Sequence, residues 1–108
     1  INPTRPVVLV EGEWDALAVC ERTGHRALGV ATGSTMGGRR HIDIARLAMA
    51  MWVFVAFDDD EAGRKACKYW LNLLPKSSRL LPTAHDCGDM AKQGHDFNEW
   101  LRKAVQNA

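Results

Sequence analysis

The sequence predicts a single α/β domain with a four-stranded, mainly parallel sheet flanked by helices, in the layered arrangement of Rossmann-like folds. Short apolar runs alternate along the chain with longer segments in which apolar residues recur every three or four positions. Parallel strands need crossover connections, and these are usually helices. With 108 residues the chain has the length of one domain. We therefore expect residues 1–108 to form one domain, taken from a larger protein.

The first half of the chain contains two predicted strands and two predicted helices. Residues 7–10 (VVLV) are β-branched and apolar, which is typical of a strand buried on both faces. Residues 13–22 follow with an apolar stripe that begins at Trp14 and predicts a helix. Residues 27–31 (ALGVA) predict the second strand, and residues 41–51 predict the second helix.

The second half repeats this alternation. Residues 52–57 (WVFVAF) give the strongest strand signal, and residues 61–74 predict a helix that a proline ends. Residues 79–81 (RLL) predict a weak fourth strand. We expect residues 84–94 to be polar and irregular, and residues 97–105 to form a last helix.

Composition limits the functions that the chain can have. Its formal net charge is only +1, so bulk charge neither supports nor excludes a nucleic-acid partner. The 3 cysteines form no CxxC pair, which favours reduced thiols and a cytoplasmic protein. No apolar run approaches the roughly 20 residues of a membrane span, and we expect no membrane partner.

Three carboxylates follow predicted strands at the points where these strands end. Glu11 follows the first strand, and Asp58 and Asp60 follow the third. The carboxyl ends of parallel strands share one edge of the sheet, where α/β proteins bind ligands. Crowded carboxylates repel one another unless a cation intervenes, and all-oxygen ligands suit Mg²⁺ or Mn²⁺. The alternative is that Asp59 or Asp60 caps the following helix.

The motifs around these carboxylates resemble the Toprim family. Residues 11–15 (EGEWD) and 58–64 (DDDEAGR) look like its Glu after the first strand and its DxD after the third. Residues 31–35 (ATGST) look like the turn after the second strand in DnaG-type primases and in phage or plasmid primase–helicases. The resemblance covers nearly the whole chain.

This resemblance implies roles for individual residues. It implies that Glu11 is a general acid/base or a metal ligand, and that Asp58 and Asp60 bind Mg²⁺ or Mn²⁺. Residues 95–101 (HDFNEWL) look like a further acidic segment of the family, which makes Asp96 an additional metal ligand. Asn98 stands at the second position of that segment, where an amide binds metal more weakly than a carboxylate. Asp86 and Asp89 are alternatives for the role of Asp96.

Other residues are predicted to support the site or to bind phosphate. The small residues of the turns can let the backbone approach a ligand, although they also suit ordinary turns. A zinc site at His85, Cys87, Asp89 and His95 is a further alternative, but their spacing matches no paired ligand template. The predicted supporting residues are Gly12, Asp15, Gly33, Ser34, Thr35, Gly63, Arg64 and Asn98.

The resemblance implies divalent-metal-dependent nucleotidyl transfer for primer synthesis in DNA replication, by an enzyme of phage or mobile-element type. The expected partners are a DNA or RNA template, nucleoside triphosphates, other domains of the same polypeptide and a replicative helicase. Two alternatives stay open. One is a Toprim nuclease that cleaves phosphodiesters, and the other is a non-catalytic nucleic-acid-binding or scaffolding module.

Overall fold

A computed structural model describes residues 4–34, 37 and 39–108 of the chain. Its elements alternate between strands and helices up to the fourth strand, as the sequence predicts, and two helices follow. In chain order they are β1 (Val7–Val10), α1 (Glu13–Arg22), β2 (Leu28–Ala31), α2 (His41–Ala48), β3 (Val53–Val55), α3 (Glu61–Leu73), β4 (Ser77–Arg79), α4 (Cys87–Lys92) and α5 (Phe97–Asn107).

The four strands form one sheet in the order β2-β1-β3-β4, and all neighbouring pairs are parallel. The predicted fold class is therefore confirmed, with a sheet that is wholly rather than mainly parallel. β1 lies between β2 and β3, so the strand order reverses at β1. Ligand sites in such sheets lie outside the carboxyl ends of the strands at this reversal.

Alternate residues of the central strands build two cores, one on each face of the sheet. Val7, Leu9 and Val55 pack on one face with Trp70 of α3. Residues from β1 and β3 that point the other way pack against α1, α4 and α5. All four residues of β1 are buried, which explains why its sequence is a continuous apolar run rather than an alternating one.

Residues 84–94 are not irregular throughout, because they contain α4. The Asp86 side chain accepts a hydrogen bond from the Asp89 backbone amide and so caps the helix. Cys87 and Met90 are buried against the sheet, and Gly94 follows with a φ of 72°. A short polar helix with one apolar face gives too little periodicity to predict from sequence alone.

Several strands and helices have boundaries that differ from the predicted ones. β4 lies at Ser77–Arg79, whereas the prediction was residues 79–81, because its pairing with β3 fixes the register for a polar segment. β3 is shorter than predicted. The four predicted helices begin as predicted, but α2 ends at Ala48 and α5 continues to Asn107. In the described part of the chain, no helix is both long and apolar enough to cross a bilayer.

The apolar stripe of α1 faces outward, contrary to the usual packing of such a stripe. Trp14 is 81% exposed and Leu17 is 52% exposed. A Cβ on Gly29 of β2 would lie 2.2 Å from the Ala16 backbone oxygen, so α1 approaches β2 too closely for large side chains between them. The face of α1 that packs towards the sheet carries alanines and Val19, whereas its two largest apolar side chains face solvent.

Candidate functional site

Glu11 and Asp58 meet where the carboxyl ends of β1 and β3 lie side by side. The Ala56 amide donates to the Leu9 carbonyl at 2.8 Å, which continues the strand pairing past β3. Glu11 comes two residues after Leu9, and Asp58 comes two residues after Ala56. We call Glu11, Asp15, Asp58, Asp60 and Asp86 the carboxylate cluster.

The Glu11 carboxyl is partly buried among other negative charges. Burial raises its pKa, and the charges of Asp58, Asp60 and Asp15 raise it further. The Asp58 backbone amide acts in the opposite direction. The Glu11 Oε1 atom is buried, and among the described residues it has no hydrogen-bond partner. A buried carboxylate oxygen without a donor is costly, and a cation beside it would remove that cost.

The Asp58 carboxyl has a similar environment. Its side chain is 21% exposed. Burial raises its pKa, as do the charges of Asp86, Asp60 and Asp15, whereas His85 lowers it. The His85 Nε2 atom lies 3.8 Å from Asp58 Oδ2. This imidazole is 72% exposed, and its effect on Asp58 is larger than that of any single neighbouring carboxylate but smaller than that of burial.

Asp60 combines the two roles that the sequence left open. Its Oδ1 atom accepts a hydrogen bond of 2.6 Å from the Gly63 amide, so it is the N-cap of α3. Its charge also raises the pKa of both Glu11 and Asp58, which places it in the carboxylate cluster. The cap fixes this carboxylate at the start of the helix, where the helix dipole also favours negative charge.

Gly63 allows the start of α3 to lie directly against the segment that carries Asp58. A Cβ at position 63 would lie 2.0 Å from the Asp58 carbonyl oxygen and 3.0 Å from Asp60 Oδ1. At Gly12 a Cβ would meet only Asp15 Oδ2, at 3.2 Å. The close approach at Gly63 is thus to the protein's own backbone, as in the packing alternative, and the predicted approach to a ligand stays a prediction.

Asp15 and Asp86 extend the cluster on the side of α4. Asp15 Oδ1 accepts a hydrogen bond of 2.7 Å from the Gly88 amide. Burial raises the pKa of Asp15, and the charge of Asp86 and a side-chain hydrogen bond with Asp86 raise it further. The sequence-based interpretation has Asp86 only as an alternative to Asp96. The spacing of Asp86 and Asp89 was the available signal, because it is typical of a helix cap.

The structure does not bring Asn98 to the carboxylate cluster, and it places Asp96 at the N-cap of α5. Asp96 Oδ1 accepts from the Glu99 amide and caps α5. Asn98 accepts from Arg26 and donates to the Arg22 carbonyl. Arg22 ends α1, which begins at the carboxyl ends of the strands, so Asn98 lies at the opposite edge of the sheet.

Two further predicted phosphate contacts have partners within the protein. Arg64 donates to the carbonyl and to the Oδ1 atom of Asp59, both at 3.2 Å. The Gly33 amide donates to the Glu11 carbonyl at 2.8 Å. Thr32 Oγ1 donates to the Ser34 carbonyl, which closes the turn. Thr35 lies outside the described residues.

The donor set fits a hard divalent cation better than zinc. Among the described residues, no three His, Cys, Asp or Glu side chains converge on one point that a metal could occupy. Neither the alternative zinc set nor Glu11, Asp58 and Asp60 together converges on such a point, and burial raises the pKa of the Cys87 thiol. Magnesium commonly takes one or two protein carboxylates and completes its shell with water and phosphate oxygens. Glu11 and Asp58 provide such carboxylates, with one oxygen lacking a donor.

The parallel sheet, with acidic residues at the carboxyl ends of two adjacent central strands, places this chain among open α/β domains that bind ligands at that edge. Residues 8–101 match a family model described as Toprim-like. The chain belongs to this Toprim-like family. No curated protein matches the chain significantly.

Solved structures are similar too, among them three that we describe. The primase fragment of the bacteriophage T7 primase-helicase protein has 23% identity and a TM-score of 0.76 over 97% of this chain and 45% of that chain. A chain in a structure of bacteriophage T7 lagging-strand DNA polymerase, with primase domains bound to an RNA/DNA hybrid and dTTP, has 26% identity and a TM-score of 0.70. This match covers 100% of our chain and 57% of that chain.

The third structure is a small Toprim domain protein from Bacillus stearothermophilus, with 20% identity and a TM-score of 0.72. This match covers 96% of our chain and 88% of that chain. Our chain thus spans about half the length of the two bacteriophage T7 chains, but most of the small bacterial protein.

Proposed function

We propose that this domain carries the catalytic carboxylates of a divalent-metal-dependent nucleotidyltransferase that synthesises primers in DNA replication, as part of a primase or primase–helicase. The observation that supports this most is the meeting of Glu11 and Asp58 at the strand-order reversal, with raised pKa values and a buried oxygen without a donor. The Toprim-like family and the likeness to the bacteriophage T7 chains support it independently.

Each residue has a defined task in this proposal. Asp58 and Asp60 hold Mg²⁺ or Mn²⁺ near the phosphates of the incoming nucleotide. Bound there, such a cation neutralises the charge that develops during phosphoryl transfer. Glu11 either shares in holding metal or accepts a proton from the attacking hydroxyl. A carboxyl whose pKa is raised towards neutrality is a better general base than an ordinary one.

The proposed substrates are nucleoside triphosphates and a DNA or RNA template, with other domains of the same polypeptide and a replicative helicase as partners. One similar structure contains primase domains bound to an RNA/DNA hybrid and dTTP. The domain's own formal charge of +1 gives it little attraction for a phosphate backbone. We therefore assign template binding mainly to the neighbouring domains.

Calorimetric titration with Mn²⁺ and Mg²⁺ tests the metal site. The double variant Asp58→Asn, Asp60→Asn removes two charges but keeps an N-cap for α3, since asparagine caps helices as well as aspartate. Asp59→Asn is the matched control, because Asp59 is paired with Arg64 and Arg79 instead. We expect saturable binding in the wild type and the control, and its loss in the double variant.

A primer-synthesis assay on the full-length protein then tests the activity. Loss of primers in the double variant, with primers retained in Asp59→Asn, supports the proposal. Equal metal binding by wild type and double variant would contradict it.

A Toprim nuclease is the second candidate. The carboxylate cluster is the observation that favours it, because phosphodiester hydrolysis also needs a metal ion held beside a phosphate. The same carboxylates would then activate water for phosphodiester cleavage. Metal-dependent cleavage of single-stranded or duplex nucleic acid, without primer synthesis by the full-length protein, would favour this candidate over the primase.

A further inference from the structure

A groove between α1 and α4 starts at the carboxylate cluster and runs along the protein surface. Its volume is about 620 Å³, within the range of small-molecule sites. Gly12, Asp15 and Asp86 line the end nearest Glu11 and Asp58, and Trp14 lines it together with Leu17. The groove and the cluster therefore share residues and form one continuous surface.

The apolar part of this groove contains a tryptophan that is far more exposed than two other tryptophans of the chain. Trp14 and Leu17 are three positions apart, so they lie on the same face of α1. Trp14 is 81% exposed, whereas Trp70 is fully buried and Trp100 is 7% exposed. An exposed indole beside a polar site offers a flat surface on which another ring can stack. The Trp14 ring therefore lies outside the hydrophobic core.

The charges of the groove restrict its occupant. At the cluster end, Asp15 and Asp86 repel an anion unless a divalent cation lies between them and the ligand. Along the rest of the groove, Glu21 and Asp89 are offset by Arg22 and Lys92, so that part has no net charge. An occupant that spans both parts needs a metal-binding anionic end and an uncharged, flat, apolar end. A nucleotide has both.

We propose that the α1–α4 groove binds the base of a nucleotide whose phosphates lie at the carboxylate cluster, with Trp14 stacking on the base. This inference rests on the proposed function and names a second contact for its substrate. Stacking tolerates any base, because every base presents a π-face. Trp14 would thus contribute to nucleotide affinity without selecting among bases.

The experiment compares two ligands on this chain, ATP and inorganic triphosphate, each with Mg²⁺. Inorganic triphosphate has the phosphates but no base, so the ratio of the two affinities isolates the contribution of the base. We expect wild-type protein to bind ATP about tenfold or more tightly than inorganic triphosphate. In Trp14→Ala this ratio should fall towards one, with triphosphate affinity unchanged. Trp14→Phe should retain most of the ratio, because phenylalanine also stacks.

Met49→Ala is the matched control, because Met49 is 72% exposed and lies at the end of α2, away from the groove. The Trp14 indole N–H resonance, assigned by its loss in Trp14→Phe, should shift with ATP but not with triphosphate. An unchanged affinity ratio in Trp14→Ala overturns the inference and leaves the groove to another occupant, such as a protein segment. If wild-type protein binds neither ligand with Mg²⁺, the proposed function fails, and this inference fails with it.

Discussion

Asp58 and Asp59 are neighbours in sequence but lie in opposite electrostatic environments. Asp58 is mostly buried and lies near other carboxylates, and its pKa is raised. Asp59 is exposed and accepts hydrogen bonds from Arg79 and Arg64, and its pKa is lowered. Because successive side chains of an extended segment point in opposite directions, one step along the chain separates the two environments.

This contrast separates residues that stabilise the fold from residues that we propose to bind a ligand. Asp59 forms ion pairs with Arg64 at the start of α3 and with Arg79 of β4. Its charge is therefore balanced by residues of the protein itself. The carboxylate cluster has more negative charge than the protein compensates, which costs stability in the absence of a cation. Residues whose environment is unfavourable in the protein alone are candidates for function.

The largest expected effect is on activity. Asp58→Asn should reduce primer synthesis by the full-length protein by about 100-fold or more, because it removes a proposed metal ligand. Asp59→Asn, one residue away, should leave activity within about twofold of wild type. Steady-state primer synthesis at several Mg²⁺ concentrations measures both. Equal losses in the two variants would remove the functional contrast between these neighbours.

Next in size is the effect of a methyl group at Gly63. Gly63→Ala places a Cβ 2.0 Å from the Asp58 carbonyl oxygen, so the start of α3 must move. We expect a loss of about 1–3 kcal/mol in the free energy of unfolding. Gly12→Ala should cost less, since its nearest contact is the end of the Asp15 side chain at 3.2 Å, which can rotate away. Urea denaturation compares them, and a greater loss at Gly12 would contradict this account.

A smaller effect is expected for Asp58→Asn on the free energy of unfolding without metal. Unlike Gly63→Ala, this substitution should stabilise the protein. The folded-state pKa of Asp58 is raised, so its ionisation disfavours the folded state. The resulting cost appears as pH rises from the unfolded pKa of 3.8 through the folded pKa. Asp58→Asn should therefore be more stable than wild type at pH 7, by about 0.5–2 kcal/mol. The difference should shrink as pH falls towards 4.

Thermal unfolding from pH 4 to pH 8 in the presence of a chelator measures this difference. Added Mg²⁺ should raise the Tm of wild type and not that of Asp58→Asn, because the variant lacks the Asp58 carboxylate that we propose to bind the ion. A variant less stable than wild type at pH 7 would show that Asp58 stabilises the fold.

The smallest effect concerns Asp59. Its folded-state pKa is lowered, so its ion pairs contribute stability above the unfolded pKa of 3.8, and this contribution is lost as pH falls through the folded pKa. Asp59→Asn should therefore lower the Tm slightly at pH 7 and not at all near pH 2. High salt should reduce the difference, since these ion pairs are exposed. A salt-independent loss of Tm would show that Asp59 acts through something other than charge.

Much of the candidate site was predictable because its signals are local. Glu11, Asp58 and Asp60 each follow an apolar strand, and the sheet brings these strand ends together. Asp86 was predicted only as an alternative to Asp96, because the position of its side chain depends on how α4 packs. Asp96 and Asn98 were chosen from a short resemblance, and their contacts are to α5 itself and to the end of α1.

The sequence by itself determined the class of fold, the starts of α1, α2, α3 and α5, and the position of acidic residues after β1 and β3. These features depend on the spacing of apolar residues and on chain order, which the sequence states directly. Tertiary structure alone decided that β1 and β3 are neighbours, that Asp15 reaches the Gly88 amide, and that Trp14 faces outward. Those features depend on how closely elements distant in sequence pack, as when Gly29 draws α1 onto β2 and leaves its large side chains outside.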